Sequence, residues 1–278
     1  GGGGGGVLQV DNVAAMRQDP TNGTLEVLHL SSELGWSQGP WAWSVMVVSA
    51  PAISIQGCSI SGNNATYTGG GLHLGRLSPV SPRMTITQTQ LSRNSAGLQG
   101  GCIAIDQAAG FVRLVNVSLM HCNAGEKGGG VWSQYSSGIE AIDSLLDANA
   151  AGGSGSGMYV SSSIEDFGER ANGLSCAAAV GEGFDLGRTV LELERCVVRR
   201  NALLDASQTS SVTDEGEVYG GGAIFVAGST RGSLRGCELH QNTARYGGAL
   251  TVAGKGRILL DYTRLEGNTA VGCGGAIA

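Results

Sequence analysis

The chain has 278 residues, 48 of them Gly, with 5% aromatic and 14% charged residues and a formal net charge of −6. This Gly content excludes a mostly helical protein, because each Gly inside a helix costs about 1 kcal/mol relative to Ala, and the low charge argues against a disordered one. The acidic balance, without a basic stripe, speaks against a nucleic-acid binder and leaves many short strands joined by Gly-rich turns.

The chain opens on Gly1 to Gly6, with no initiator Met, basic segment or apolar segment of a secretory signal. Gly4-Gly5-Gly6-Val7-Leu8 resembles the closing half of a repeat met many times further on. Residues 14–47 then read as an insertion holding Trp36, Trp41 and Trp43. The apolar run Trp41 to Ile53 is about 13 residues, broken by serines and Pro51. That is short of the ~20 a membrane span needs.

From about residue 47 two sub-motifs recur. The first is an aliphatic residue or Met, two variable residues, then Asn: Asn63, Asn94, Asn123, Asn149, Asn201, Asn242 and Asn268. The second is two Gly, a small residue and an aliphatic one, as in Gly69-Gly70-Gly71-Leu72 and Gly247-Gly248-Ala249-Leu250, with Gly155-Ser156-Gly157-Met158 a degraded copy. Except after Asn201, the pair begins five or six residues beyond each Asn. Counting back from the Asn, position −3 is apolar, from Ile60 to Leu265. Position −5 is small and weakly polar: Cys58, Thr89, Ser118, Ser144, Cys196, Cys237, Thr263. Position −8 is aliphatic, from Ile55 to Leu260.

Alternation with period two is a strand with one buried face. The odd step from −8 to −5 demands a corner, Asn suits a turn, and the Gly pair permits a tight return. The expected architecture is all-β: a right-handed parallel β-helix of about seven coils, three short strands in each. Stacking would place equivalent residues about 4.8 Å apart and align the asparagines in an internal ladder. Two further insertions, 161–188 and 203–218, interrupt it; in solenoids such insertions become loops on one face. No polar cap is visible at either end, as a free-standing solenoid requires. Residues 1–278 are therefore expected to be a single β-helix segment of a longer chain.

Repeated Φ-x-x-Asn and Gly-Gly-Ala-Ile/Leu motifs over residues 47–278 resemble the repeats of the chlamydial polymorphic outer-membrane proteins. Similar coils occur in large microbial and algal surface proteins of the pectin-lyase-like β-helix class. That family's usual Phe before x-x-Asn is Ile, Leu, Met or Val here, and no autotransporter barrel is present in the sequence. The resemblance implies a secreted, surface-exposed passenger or adhesin-like stalk.

Candidate sites are few. The four His lie in different coils and there is no Asp-Asp pair, unlike the clustered carboxylates of polygalacturonase-like sites. Glu194 and Asp261 share outward position −7, with Arg235 between them, and read as a solvated ladder of alternating charge rather than a catalytic pair. No Cys-x-x-Cys suggests a metal, so no metal or cofactor is expected. Cys196 and Cys237 are ladder neighbours and a candidate disulfide, although two buried thiols packing as small hydrophobes are the preferred reading. Cys102 with Cys122, and Cys273 with Cys176, are weaker pairings. Sequons place candidate glycans on Asn22, Asn64 and Asn116. Trp36, Trp41 and Trp43 form a candidate platform for other protein chains or surface glycans; a lid over the coils is the preferred alternative.

The leading expectation is a non-catalytic structural or adhesive module at the cell surface or outside the cell, with no nucleic-acid partner and no membrane span in this segment. A polysaccharide lyase or glycoside hydrolase, and a scaffold subunit of a filament or coat, are the alternatives.

Overall fold

A computed structural model describes residues 53–75, 84–106, 111–134, 138–162, 189–204 and 220–278, together with the backbone of Met16–Gln18, Leu25–Val27 and Ser44–Val45. Among these residues every element is a strand. They form four sheets that run the length of a right-handed parallel β-helix, one of nine strands and three of seven. The second coil shows the plan. Met84–Thr87 lies in the first sheet, Gln90–Ser92 in the second, Ser95–Ala96 in the third and Ile103–Asp106 in the fourth. The expected three strands per coil are therefore joined by a two-residue ladder between the ladder position and the Gly pair. Met16–Gln18 is the one antiparallel strand, paired with Leu25–Val27, which is itself parallel to Ile53–Ile55.

The interior is built of in-register columns. In the first sheet Ile55, Ile86, Leu114, Ala141, Leu193, Leu234 and Leu260 stack. In the second, Ile60, Leu91, Leu119, Leu146, Val198, Leu239 and Leu265 do so. Leu72, Ile103, Val131, Met158, Ile224 and Leu250 close the fourth side. These columns belong to one continuous apolar core.

The third coil departs from the expected register by one residue. Leu119, not Met120, pairs with Leu91 and Leu146, so Cys122 rather than Asn123 takes the ladder position. Asn123 pairs instead with Ser95 and Ala150 and is exposed. Since a one-residue slip exchanges the two faces of a strand, the choice is decided by what would be buried. The observed register buries Val112, Leu114, Val117 and Leu119. The other would turn Arg113 and Ser118 inward, and burying an unpaired charge is far more costly than exposing a valine. Val117 accordingly replaces Ser118 in the column of Cys58, Thr89, Ser144 and Cys196.

Two corners per coil are turned by single residues of positive φ. The first column contains Gly57, Gln88 (50°), Asn116 (53°), Asp143 (50°), Arg195 (50°), Gly236 and Tyr262 (47°). The second contains Gly62, Arg93 (55°), His121 (56°), Ala148 (53°), Arg200 (53°), Gln241 (56°) and Gly267. The odd step in the sequence pattern is this corner residue: it points outward, and its left-handed backbone redirects the chain into the next sheet.

Candidate functional site: the internal ladder and the outer faces

The ladder runs inside the corner between the second and third sheets. In each step the backbone N–H and side-chain amide of one Asn donate to the side-chain oxygen of the next: Asn63 to Asn94, Asn149 to Asn201, Asn201 to Asn242, all at 3.0 Å. Asn242 to Asn268 continues the series at 3.0 and 2.9 Å. The same side-chain amides also donate to a carbonyl of the preceding coil, as from Asn149 to Leu119 and from Asn242 to Val198, both 2.9 Å. Buried polar groups are thus satisfied coil by coil.

At the third coil the ladder changes chemistry. The Cys122 N–H still donates to the Asn149 oxygen at 3.0 Å, but its side chain forms a disulfide with Cys102, with Cα atoms 5.4 Å apart. Elsewhere the ladder side chain sits over a small residue of the preceding coil. A Cβ built on Gly71 would lie 3.0 Å from the Asn94 amide nitrogen, and one on Gly130 3.3 Å from that of Asn149. Cys102 occupies that facing place, next to Ile103 in register with Leu72 and Val131. Where Asn is lost, its neighbour across the corner is Cys rather than Gly, and a covalent bond stands where an amide would pack. This residue was missed in the sequence because Asn123 follows Cys122 directly. The signal was there: Asn63, Asn94 and Asn268 each precede a Gly pair by six residues, Asn149 precedes the degraded copy at Gly155 by the same distance, and six before Gly128 is Cys122.

Cys196 and Cys237 are stacked in consecutive coils, next to the Val197–Glu238 pair, as buried free thiols. They donate to the carbonyls of Ala141 at 3.2 Å and Leu193 at 3.4 Å. Contact with the Cys237 sulfur, and then burial, push the Cys196 thiol up. Cys273 is exposed, and its candidate partner Cys176 lies outside the described residues.

Of the sequons, Asn64 is exposed at the start of a third-sheet strand, with Thr66 exposed beside it. Asn116 is exposed too, at a corner one residue beyond Phe111–Val115. Asn22, Trp36, Trp41 and Trp43 lie outside the described residues, as do most of the three insertions.

The outer faces of the first two sheets are laced by ion pairs between coils. Glu194, Arg235 and Asp261 are in register, and Arg235 reaches Asp261 at 3.3 Å. Glu194 is held by Arg195, which also grips Asp143 at 2.7 and 3.0 Å. Asp147, with 5% of its side chain exposed, accepts from Arg199 at 3.1 Å and Arg200 at 2.8 Å. Burial alone would raise its pKa; the hydrogen bonds from Arg200 and Arg199 outweigh that and hold the carboxyl below its usual range. Outside the barrel, on the fourth sheet, Trp132, Tyr159 and Phe225 form a second buried cluster with Ala104. There the Tyr159 and Phe225 rings stack at 5.2 Å.

Among the described residues no group of three or more His, Cys, Asp and Glu side chains is placed to hold a metal ion. No described helix is long and apolar enough to cross a membrane. Comparisons with family models, curated proteins and solved structures return no match for this chain.

Proposed function

We propose that this chain is a non-catalytic structural and adhesive module of an extracellular or cell-surface protein, a stiff stack of coils that carries binding loops. The observation that carries this reading is the Cys102–Cys122 disulfide at the place of a ladder Asn. Disulfides persist in oxidising compartments and are rare where glutathione keeps thiols reduced. Exposure of the sequons at Asn64 and Asn116 supports the same placement. So does the motif-level likeness to the repeats of chlamydial polymorphic outer-membrane proteins and pectin-lyase-like coils. Repetition itself suits a spacer, since each coil contacts only its neighbours and length grows by simple addition.

The test is mass spectrometry of the protein from its native source, digested without reduction and mapped for glycopeptides. A Cys102–Cys122 peptide and a glycan on Asn64 are the expected result. A reduced Cys102 and Cys122 together with bare Asn64 and Asn116 would overturn the reading in favour of an intracellular scaffold.

A further inference from the structure

Over residues 53–162 the sequence holds five Lys and Arg against five Asp and Glu, and over residues 189–278 it holds nine against nine. Most arginines of this second group are engaged. Arg195, Arg199, Arg200, Arg235 and Arg264 each pair with a carboxylate. Arg231, Lys255 and Arg257 are exposed, and no carboxylate pairs with any of the three among the described residues.

These three cations lie together. Arg231 and Arg257 are in-register partners at the start of first-sheet strands in the sixth and seventh coils. That places their backbones one strand spacing apart, about 4.8 Å. Like charges facing each other across a strand pair are destabilising, and the in-register partner on the other side of Arg231 is Val190, which offers no relief. Lys255 sits two residues before Arg257, on a turn whose backbone is tied to the sixth coil by its N–H to Gly228, 2.9 Å. The adjoining outward column supplies a hydroxyl at Ser233 and an apolar side chain at Leu259, which is 61% exposed. The nearest charge in that column is Glu192, in the fifth coil, followed by Glu140 and Arg113 in the fourth and third.

A repulsive cationic pair with no carboxylate partner among the described residues, on a flat face, is suited to an anion from another molecule. The guanidinium fork matches the planar or tetrahedral oxygens of carboxylate and sulfate. We infer that Arg231, Lys255 and Arg257 form a docking patch for the anionic groups of an acidic polysaccharide. This inference rests on the extracellular reading above and names the class of partner. A polysaccharide charged at intervals suits a patch of three cations. Duplex nucleic acid, with a charge every ~1.7 Å, calls for a longer basic stripe than three cations supply.

The experiment is binding of the purified chain to immobilised dextran sulfate and to carboxymethyl dextran over a series of NaCl concentrations. The wild type is expected to bind at low salt and release as salt rises. Arg231→Ser and Arg257→Ser should each weaken binding about tenfold without lowering the melting temperature, since both side chains are exposed and the loss of either relieves the repulsion between them. Arg93→Asn, which removes an exposed arginine of the second coil, should leave binding unchanged. Binding to dextran sulfate alone identifies sulfate as the group recognised; equal binding to both polymers extends it to carboxylate. Failure of the wild type to bind either polymer, or equal binding by wild type and the Arg231→Ser/Arg257→Ser variant, would overturn the patch. Either failure would leave the disulfide and glycan mapping, and the function it tests, untouched.

Discussion

Each corner residue of positive φ faces a choice between backbone comfort and a useful side chain. A left-handed conformation costs roughly 1 kcal/mol or more for residues other than Gly, yet ten of these corners are not Gly and only one is Asn. At Gln241 no side-chain bond to another described residue repays the strain, and Gly267 in the next coil already turns the same corner. Gln241→Gly is therefore expected to stabilise the protein by about 0.5–1 kcal/mol in urea unfolding, the relief of strain exceeding the added freedom of the unfolded chain. Arg200 is the opposite case, because its strained backbone lets the guanidinium close over Asp147. That carboxyl has a folded pKa below its ordinary 3.8. A depressed pKa stabilises fully above the unfolded value and the gain is lost as pH falls through the folded one. Asp147→Asn should accordingly be less stable than wild type at pH 7, and the difference should close below about pH 4. A gap that stays constant across that range, in thermal melts at stepped pH, would refute the pairing.

At the scale of the element, the ladder separates two asparagines that look alike in the sequence. Asn242 is buried, and it both accepts from Asn201 and donates to Val198 and Asn268. Asn242→Ala should cost about 1–3 kcal/mol, measured by chemical unfolding. Asn123 is exposed and one residue past the ladder, so Asn123→Ala should stay within about 0.5 kcal/mol of wild type. The coils themselves were legible because period-two alternation and the Gly pairs are local signals, each repeated until chance is excluded. The register of the third coil was not. Φ-x-x-Asn points to the frame of Met120 and Asn123, whereas the observed frame of Leu119 and Cys122 is marked by the six-residue spacing to Gly128 and by the cost of burying Arg113 in the other. The same slip ranked the Cys102–Cys122 pairing below Cys196–Cys237, although it is the one that forms: with Asn123 in the ladder, Cys122 would face away from Cys102. The two-residue third sheet also escaped notice, since Ser95–Ala96 and its equivalents are too short to show any periodicity. The docking patch was illegible for another reason. Arg231 and Arg257 are 26 residues apart in the chain, and only the coil register brings them into line.

For the molecule as a whole, the stack behaves as a one-dimensional object in which each coil is held to its neighbours by the stacked apolar columns, the ladders and the ion pairs. Consecutive coils without insertions differ by 26 to 31 residues at the ladder, so a coil peeled off by tension along the chain releases on the order of 100 Å of extended backbone. The cross-link between Cys102 and Cys122 encloses 20 residues and withholds roughly 70 Å of that length. Stretched molecule by molecule, the protein should yield a saw-tooth of near-equal extensions from the coils without insertions, longer ones from the steps of 52 and 41 residues, and one conspicuously short step whose missing length a reducing agent should restore. The cysteine pair thus acts as a mechanical bookmark, fixing which coil gives way at each point of the trace.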